Sequence, residues 1–187
     1  MEEGYMTTNN EKVREFYEKF RQGEFVPEAG TQASLKDDVI SQQRLDLKMN
    51  LIAEEFFELV EAVYNKKAAR ELINAWYNIF DDHKDEPRNL DVVEAADATA
   101  DLRYVIEGFD IEAAIPSERI FDEVHTSNLS KLGEDGEPVI SDGVTPASDG
   151  KVKPLGKVIK GPNFFEPDIK SIIEGKTPDR TPLAKKK

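Results

Sequence analysis

The apolar positions of this chain recur mainly at helical spacing. Intervals of three or four residues between Val13, Phe16, Tyr17 and Phe20 predict a first helix over residues 10–22. Further helices are predicted from residue 34 or 37 to 64, over 68–80, from 90 to 107 and over 117–125. We therefore predict an all-α fold, a helical bundle over residues 1–132, followed by an irregular C-terminal extension with a flexible tail over 133–187.

Local signals predict several helix ends, a loop and a small hairpin. Asn9 and Asn10 are candidate N-caps of the first helix, and Ser117 is a candidate N-cap after Pro116. Gly108 is a candidate C-cap of the helix over 90–107. Residues 23–34 read as a loop, and the segments 137–140 and 151–159 could pair as a small hairpin.

Acidic residues on the helix predicted over 90–107 share one face. At about 100° per residue, Glu94, Asp97 and Asp101 fall within roughly 60° of one another. The other positions of this helix are mostly small or apolar, so we expect the helix to be buried. Carboxylates on a buried helix lose hydration at a cost of several kcal/mol per ion unless they are compensated. A hard divalent cation is the simplest compensation, so the pattern predicts a magnesium site.

A second acidic set lies in the segment AEEFFELVEA, which contains Glu54, Glu55 and Glu58. We expect Ile52, Phe56, Leu59 and Val63 to form the apolar stripe of this helix, with Glu54 and Glu58 roughly opposite. Glu55 and Glu58 are three residues apart, as are Glu94 and Asp97, so each pair shares a helix face. Two such helices packed antiparallel would present four carboxylates to one cleft, enough for one metal ion or two. The simpler alternative for the glutamates is a solvated helix face.

Composition narrows the classes of function. The chain has 187 residues and a formal net charge of −13, which argues against a nucleic-acid polymer as the main partner. It contains no cysteine, so a disulfide framework and a thiolate metal site are excluded. The start MEEGYMTTNN lacks a signal-peptide pattern, and no apolar run approaches the ~20 residues of a membrane span. We therefore expect a cytoplasmic protein without a membrane partner.

The acidic segments also resemble a known family. AEEFFELVEA followed by EAAD resembles the EExxE…ExxD signature of the all-α nucleoside triphosphate pyrophosphohydrolases, which include MazG-like proteins, dimeric dUTPases and phosphoribosyl-ATP pyrophosphohydrolase. The segments EVHTSNLSKLGEDGEPV and GKVIKGPNFFEPDI resemble more specifically the single-domain MazG-like, phosphoribosyl-ATP-pyrophosphohydrolase-like branch. The likeness extends from about Val13 to Ile169.

The resemblance implies a bundle of the all-α NTP pyrophosphatase type that works as a homodimer or homotetramer. It implies a Mg²⁺-dependent enzyme, with Mn²⁺ as a substitute, that cleaves a (d)NTP to the monophosphate and pyrophosphate and so cleans the nucleotide pool. The matching positions are Glu55, Glu58, Glu94 and Asp97 for metal, Glu54 for catalysis, and Asn128 and Lys131 for substrate. Asp101 is expected to bind the metal or to support a ligand, and the alternative is an ion pair with a lysine or arginine. The alternatives are phosphoribosyl-ATP hydrolysis in histidine synthesis and a helical module that binds nucleotide or Mg²⁺ without turnover.

One region departs from the family pattern. The 35 residues from Leu59 to Val93 separate the two acidic motifs, which is longer than the family usually shows. The excess over residues 68–89 is expected to be an added helix at a subunit interface or a lid over the base pocket. Trp76, Tyr77 and Phe80 within it are interpreted first as core or interface residues, and second as a platform for base stacking.

Two further features of the sequence can each be interpreted in two ways. His125 is interpreted as a packing or hydrogen-bonding residue rather than as a ligand. The basic cluster of Lys151, Lys153, Lys157 and Lys160 could close over a triphosphate, or it could be a solvated tail.

Overall fold

The chain is helical throughout its regular parts. The computed structural model describes residues 7–20, 42–87, 90–146, 150–153 and 157–185. Its helices are α1 (Asn9–Lys19), α2 (Gln42–Val63), α3 (Lys66–Asp82), α4 (Val92–Glu112), α5 (Ser117–Leu129) and α6 (Ile169–Ile173), with a 3₁₀ helix at Leu183–Lys185. These ranges contain isolated antiparallel bridges but no named strand. The prediction of an all-α fold is thus confirmed.

The C-terminal extension is irregular between α5 and α6, as predicted. Among their described residues, the two segments predicted to form a hairpin share one antiparallel bridge, between Ile140 and Val158. The loop predicted over 23–34 and the predicted start of the second helix lie outside the described residues. Across the ranges given above, no helix is both long enough and apolar enough to cross a membrane.

The N-cap of helix α1 is Thr8, one residue before the first predicted cap, Asn9. The backbone N–H of Glu11 donates to Thr8 Oγ1 over 3.2 Å, and the backbone N–H of Thr8 donates to Glu11 Oε2 over 2.7 Å. This reciprocal capping box satisfies two backbone donors at once. The prediction of Asn9 or Asn10 as the N-cap is therefore wrong, because only Thr8 has a glutamate in the matching position.

Helix α4 continues through Gly108, so the prediction of a C-cap there is wrong. The helix ends where Ala114 adopts a left-handed φ of 53°, and the N–H of Ile115 donates to the carbonyl of Asp110 over 2.8 Å. This bond closes the end of the helix without a glycine, and Pro116 prevents continuation. Ser117 is the first residue of α5 rather than its cap, since the N-cap position is Pro116.

The chain divides into two compact units, one of residues 27–100 and one of residues 1–26 with 101–187. In the first unit, α2 and α3 pack as a helical hairpin. Asn65 caps α3 by accepting hydrogen bonds from the backbone N–H groups of Lys67 and Ala68 over 2.9 and 3.1 Å. Helix α2 buries Ala53, Phe57 and Val60. The side chains of the predicted apolar stripe, Ile52, Phe56, Leu59 and Val63, remain exposed, so this stripe is not the buried face of α2 in the single chain.

The second unit is organised around α5. Helix α1 contacts α5 through the ion pair Lys12–Asp122 and a hydrogen bond between His125 and Glu15. The C-terminal segment packs on the buried part of α5, where Ser127 Oγ donates to the carbonyl of Phe165 over 2.8 Å. The domain boundary predicted between residues 132 and 133 remains a prediction. The described residues after 132 belong to the same compact unit as α5.

A single buried acid fastens the end of the chain to α5. Glu123 is 1% exposed, and its Oε2 accepts from Arg180 Nε over 2.9 Å. Its Oε1 accepts from the backbone N–H of Asp168 over 3.3 Å. A buried carboxylate is stable only when it is paired in this way, so this ion pair holds residues 168–180 against α5.

We expect Gly161→Ala to destabilise the protein. A Cβ at residue 161 would lie 2.2 Å from the carbonyl oxygen of Leu132, which is backbone and cannot swing away. We expect a loss of about 1–3 kcal/mol in the free energy of unfolding, measured by thermal and denaturant unfolding followed by circular dichroism.

The matched control is Gly108→Ala on α4, where a Cβ would meet no atom within 4 Å. This substitution should stabilise the helix by about 0.5–1 kcal/mol. Equal unfolding midpoints for the two variants would contradict the close approach of Gly161 to Leu132.

Candidate active site

The three motif glutamates of α2 lie outside its buried face. Glu54, Glu55 and Glu58 are exposed, whereas Ala53, which precedes them, and Phe57, which lies among them, are buried. Within the described ranges, none of the three forms an ion pair or a side-chain hydrogen bond. These carboxylates are therefore available to a cation from solution.

The acidic residues of α4 are equally open. Asp91 precedes the helix and its Oδ1 accepts from the N–H groups of Val93 and Glu94 over 3.0 and 3.1 Å. Glu94, Asp97 and Asp101 are exposed and have no cationic partner among the described residues. The prediction that α4 is buried is wrong for the single chain, because no residue of this helix is buried.

The two acidic sets do not converge within one chain. Over the residues that the structure describes, no group of three or more His, Cys, Asp or Glu side chains is placed to hold a metal ion. The pairs Glu55/Glu58 and Glu94/Asp97 each keep the helical spacing that was predicted. Their joint action on one ion remains a prediction.

A pocket of about 160 Å³ opens between α2 and α3. Its α2 side carries Asn50, Glu54, Phe57 and Glu58, and its α3 side carries Ile73 and Trp76. Two of the predicted site residues thus line a concave surface together with aromatic side chains. Sequence reasoning placed Trp76 first in a core or interface, because spacing alone does not reveal which face of α3 meets α2.

The predicted substrate residues Asn128 and Lys131 lie together at the end of α5. Lys131 Nζ donates to Asn128 Oδ1 over 2.7 Å. Partial burial and the nearby ammonium of Lys160 lower the pKa of Lys131. Neither lysine has a carboxylate partner among the described residues. Two ammonium groups without a counter-ion are unusual in so acidic a chain, and they form a local positive site.

Lys160 is the member of the predicted basic cluster that the structure brings to Lys131. Its Nζ also lies 4.2 Å from the centroid of the Phe164 ring, a cation–π contact that holds it in place. Lys151 and Lys153 are engaged in other interactions. His125 meets the prediction of a hydrogen-bonding role, since its Nε2 lies 3.2 Å from Glu15 Oε2.

Comparisons with known proteins agree with this fold. The family model described as phosphoribosyl-ATP pyrophosphohydrolase matches residues 13–128. The fold is similar to the crystal structure of a candidate NTP pyrophosphohydrolase from Exiguobacterium sp. 255-15, with a TM-score of 0.56 and 23% sequence identity over 90% of this chain and 94% of that chain. No curated protein sequence matches significantly. The chain belongs to the phosphoribosyl-ATP pyrophosphohydrolase family, within the all-α NTP pyrophosphohydrolase superfamily.

We expect Lys160→Gln to raise the pKa of Lys131, because the variant removes the like charge beside it. Burial still acts, so the pKa of Lys131 should remain below its ordinary value. The pH dependence of amine acylation at Lys131, followed by peptide mass spectrometry, measures the shift. Lys157→Gln is the control, and an unchanged Lys131 pKa in Lys160→Gln would contradict the proximity of the two ammonium groups.

The lowered pKa of Lys131 also determines the direction in which the free energy of unfolding changes with pH. The folded chain binds the Lys131 proton less tightly than the unfolded chain does. Protonated Lys131 therefore lowers stability at pH values below its folded pKa, and this cost is relieved as the pH rises through that pKa.

Proposed function

We propose that this protein is a Mg²⁺-dependent hydrolase that cleaves a nucleoside triphosphate to the monophosphate and pyrophosphate. Family membership supports a pyrophosphohydrolase in general. The observation that carries the finer proposal is the set of exposed carboxylates without partners on α2 and α4. Like charges three or four residues apart on a helix repel each other by a few tenths of a kcal/mol, and a bound cation would turn this repulsion into a favourable interaction.

The donor chemistry of these residues fits Mg²⁺. Carboxylate oxygens are the hard ligands that Mg²⁺ prefers, and Mn²⁺ accepts the same ligands. Glu55, Glu58, Glu94 and Asp97 would hold the ion, with Asp101 as a further ligand or as support for one. When bound, the ion would neutralise the triphosphate and acidify a water molecule.

Other side chains of the chain would act on the substrate and on water. Glu54 is next to Glu55 on α2 and lines the pocket, so it is our candidate for the general base that accepts the proton of the attacking water. Lys131, with Asn128 beside it, is our candidate for a contact to a phosphate oxygen.

We propose (d)NTPs as substrates and removal of unwanted nucleotides from the cytoplasmic pool as the role. The description of the matched family favours a second candidate, phosphoribosyl-ATP. Helix α3, which lengthens the segment between the two acidic motifs, weighs against that candidate because it adds a wall to the pocket beside Glu54 and Glu58.

We further propose that the active form is a homodimer or homotetramer. Apolar side chains on α4 are largely exposed in the single chain, with Tyr104 at 82%, Ile111 at 79% and Val93 at 71%. On α2, Phe56 and Val63 are also about half exposed. So many large apolar side chains left exposed on two helices would gain free energy from burial against other copies of the chain, which supports an assembly.

The reaction is tested by incubating the purified protein with Mg²⁺ and each common dNTP and NTP, and with phosphoribosyl-ATP. We expect monophosphate and pyrophosphate from at least one (d)NTP, and no product after addition of EDTA. Diphosphate with orthophosphate would contradict the proposed bond. Turnover of phosphoribosyl-ATP alone would select the second candidate, and no turnover at all would indicate a non-catalytic module.

Two carboxylate variants test the site itself. We expect Glu58→Gln and Asp97→Asn each to lower kcat by about 100-fold or more, since even residues that only support a metal ligand affect activity 10- to 100-fold. Glu71→Gln on α3 is the control, because that glutamate pairs with Lys67 and lies outside the motifs. Circular dichroism verifies the helical fold, and full activity in both site variants would refute the assignment.

The assembly is tested by Val105→Asp, a charge placed on an α4 side chain that is 61% exposed. We expect size-exclusion chromatography with light scattering to show a shift toward the monomer. Val144→Asp is the control, because Val144 is 77% exposed outside the helices. A wild-type mass equal to one chain would contradict the proposed assembly.

A further inference from the structure

The pocket between α2 and α3 has two chemically different parts. Glu54, Glu58 and Glu61 contribute acidic side chains from α2. Phe57, Ala69, Ile73 and Trp76 contribute apolar surface from both helices. The acidic part repels an anion, and the apolar part, which includes Phe57 and Trp76, gives a flat aromatic surface that a hydrated metal ion alone would leave uncovered. The combination instead suits an uncharged ring attached to a group that needs a metal ion.

The orientation of Trp76 is held by a single hydrogen bond. Its indole Nε1–H donates to Asn50 Oδ1 over 2.8 Å. Because the polar atom of the indole is satisfied, Trp76 offers the pocket an aromatic surface without an unpaired donor. Only the amide oxygen can accept from an indole, so the hydrogen bond also fixes the amide orientation of Asn50. The Asn50 NH₂ group therefore remains as a donor beside the ring.

The size of the pocket matches one ring system rather than a whole nucleotide. Its volume is about 160 Å³, whereas an apolar cavity of about 150 Å³ is enough to bind benzene. Drug-sized ligands occupy about 300–1,000 Å³. A nucleobase fits this space, and a sugar with three phosphates would have to extend out of it.

We propose that the α2–α3 pocket binds the base of the nucleotide, with Trp76 stacking on the base and the Asn50 amide donating to one of its acceptor atoms. This inference rests on the proposed function and makes it more specific. Glu54 and Glu58 line the same pocket, so a base bound there has its phosphates next to carboxylates that we assign to catalysis and metal binding. Helix α3 then forms the side of the pocket that determines which base is bound.

Trp76 is the only tryptophan of the chain, so its fluorescence reports directly on this pocket. The experiment titrates the wild-type protein in EDTA with uncharged nucleosides, which carry the base and lack the phosphates. We expect saturable quenching at millimolar nucleoside, because a base stacked on the indole changes its emission. Ribose 5-phosphate and inorganic tripolyphosphate, which lack a base, should leave the emission unchanged.

Steady-state kinetics provide the second readout. We expect Trp76→Leu to raise KM for the best nucleotide by about 10-fold with little change in kcat, a loss typical of one base–aromatic stack. Trp76→Phe keeps an aromatic face and should recover most of the wild-type KM. Tyr64→Leu is the matched control, because Tyr64 is 73% exposed and is not among the residues lining the pocket.

The two readouts separate this inference from the proposed function. Nucleotide hydrolysis without nucleoside quenching and with a wild-type KM in Trp76→Leu would overturn the base site and leave the hydrolase intact. Quenching without hydrolysis would support the base site and refute the hydrolase. A Trp76 emission that changes with protein concentration and not with nucleoside would mean that another copy of the chain covers the pocket, which also overturns the proposal.

Discussion

The packing of α2 against α3 is the interaction on which the candidate site depends. Ala53, Phe57 and Val60 bury one narrow face of α2. Since successive side chains on a helix are about 100° apart, this choice of buried face determines where the neighbouring glutamates point. It leaves Glu55 exposed and places Glu54 and Glu58 at the rim of the pocket.

The exposure of α4 is the second physical constraint. The helix carries three acidic residues on one face and apolar residues over most of the remainder, yet none of its residues is buried in a single chain. Hydration stabilises the acids in this state, but exposed apolar surface on the same helix is unfavourable. An assembly that covers the apolar residues would also lower the dielectric around the acids and so increase their need for a cation. Oligomerisation and metal binding are thus coupled in our proposal.

The fold class could be predicted from the sequence because helical periodicity is local. The helical character of α1 to α5 follows from residue spacing alone, and the irregular extension follows from its glycine and proline content. The sequence does not reveal which apolar stripe of α2 is buried. Phe56 and Phe57 each belong to an apolar stripe at helical spacing, and the position of the partner helix determines which of them is buried. The same limit applies to Trp76, whose contact with Asn50 joins residues 26 positions apart.

The sequence says more about the acidic part of the candidate site than about its basic part. Carboxylate pairs can be recognised from spacing within one helix, so the sequence is enough to propose Glu55/Glu58 and Glu94/Asp97 as metal ligands, and this role remains a prediction. The pairing of Lys131 with Lys160 depends on the return of the chain past α5, where Gly161 lies against the backbone of Leu132. Contacts of this kind carry no local signal, and neither does the pairing of buried Glu123 with the partly exposed Arg180.

The central claim is that the carboxylates of α2 and α4 serve the same metal ion. Mn²⁺ binding, measured by electron paramagnetic resonance on the wild type, Glu58→Gln, Asp97→Asn and the double variant, tests it most directly. We expect each single variant to weaken binding strongly and the double variant to be little worse than either, the non-additivity of two groups that act on one ligand. Unchanged Mn²⁺ affinity in the single variants, or losses that simply add, would contradict the account.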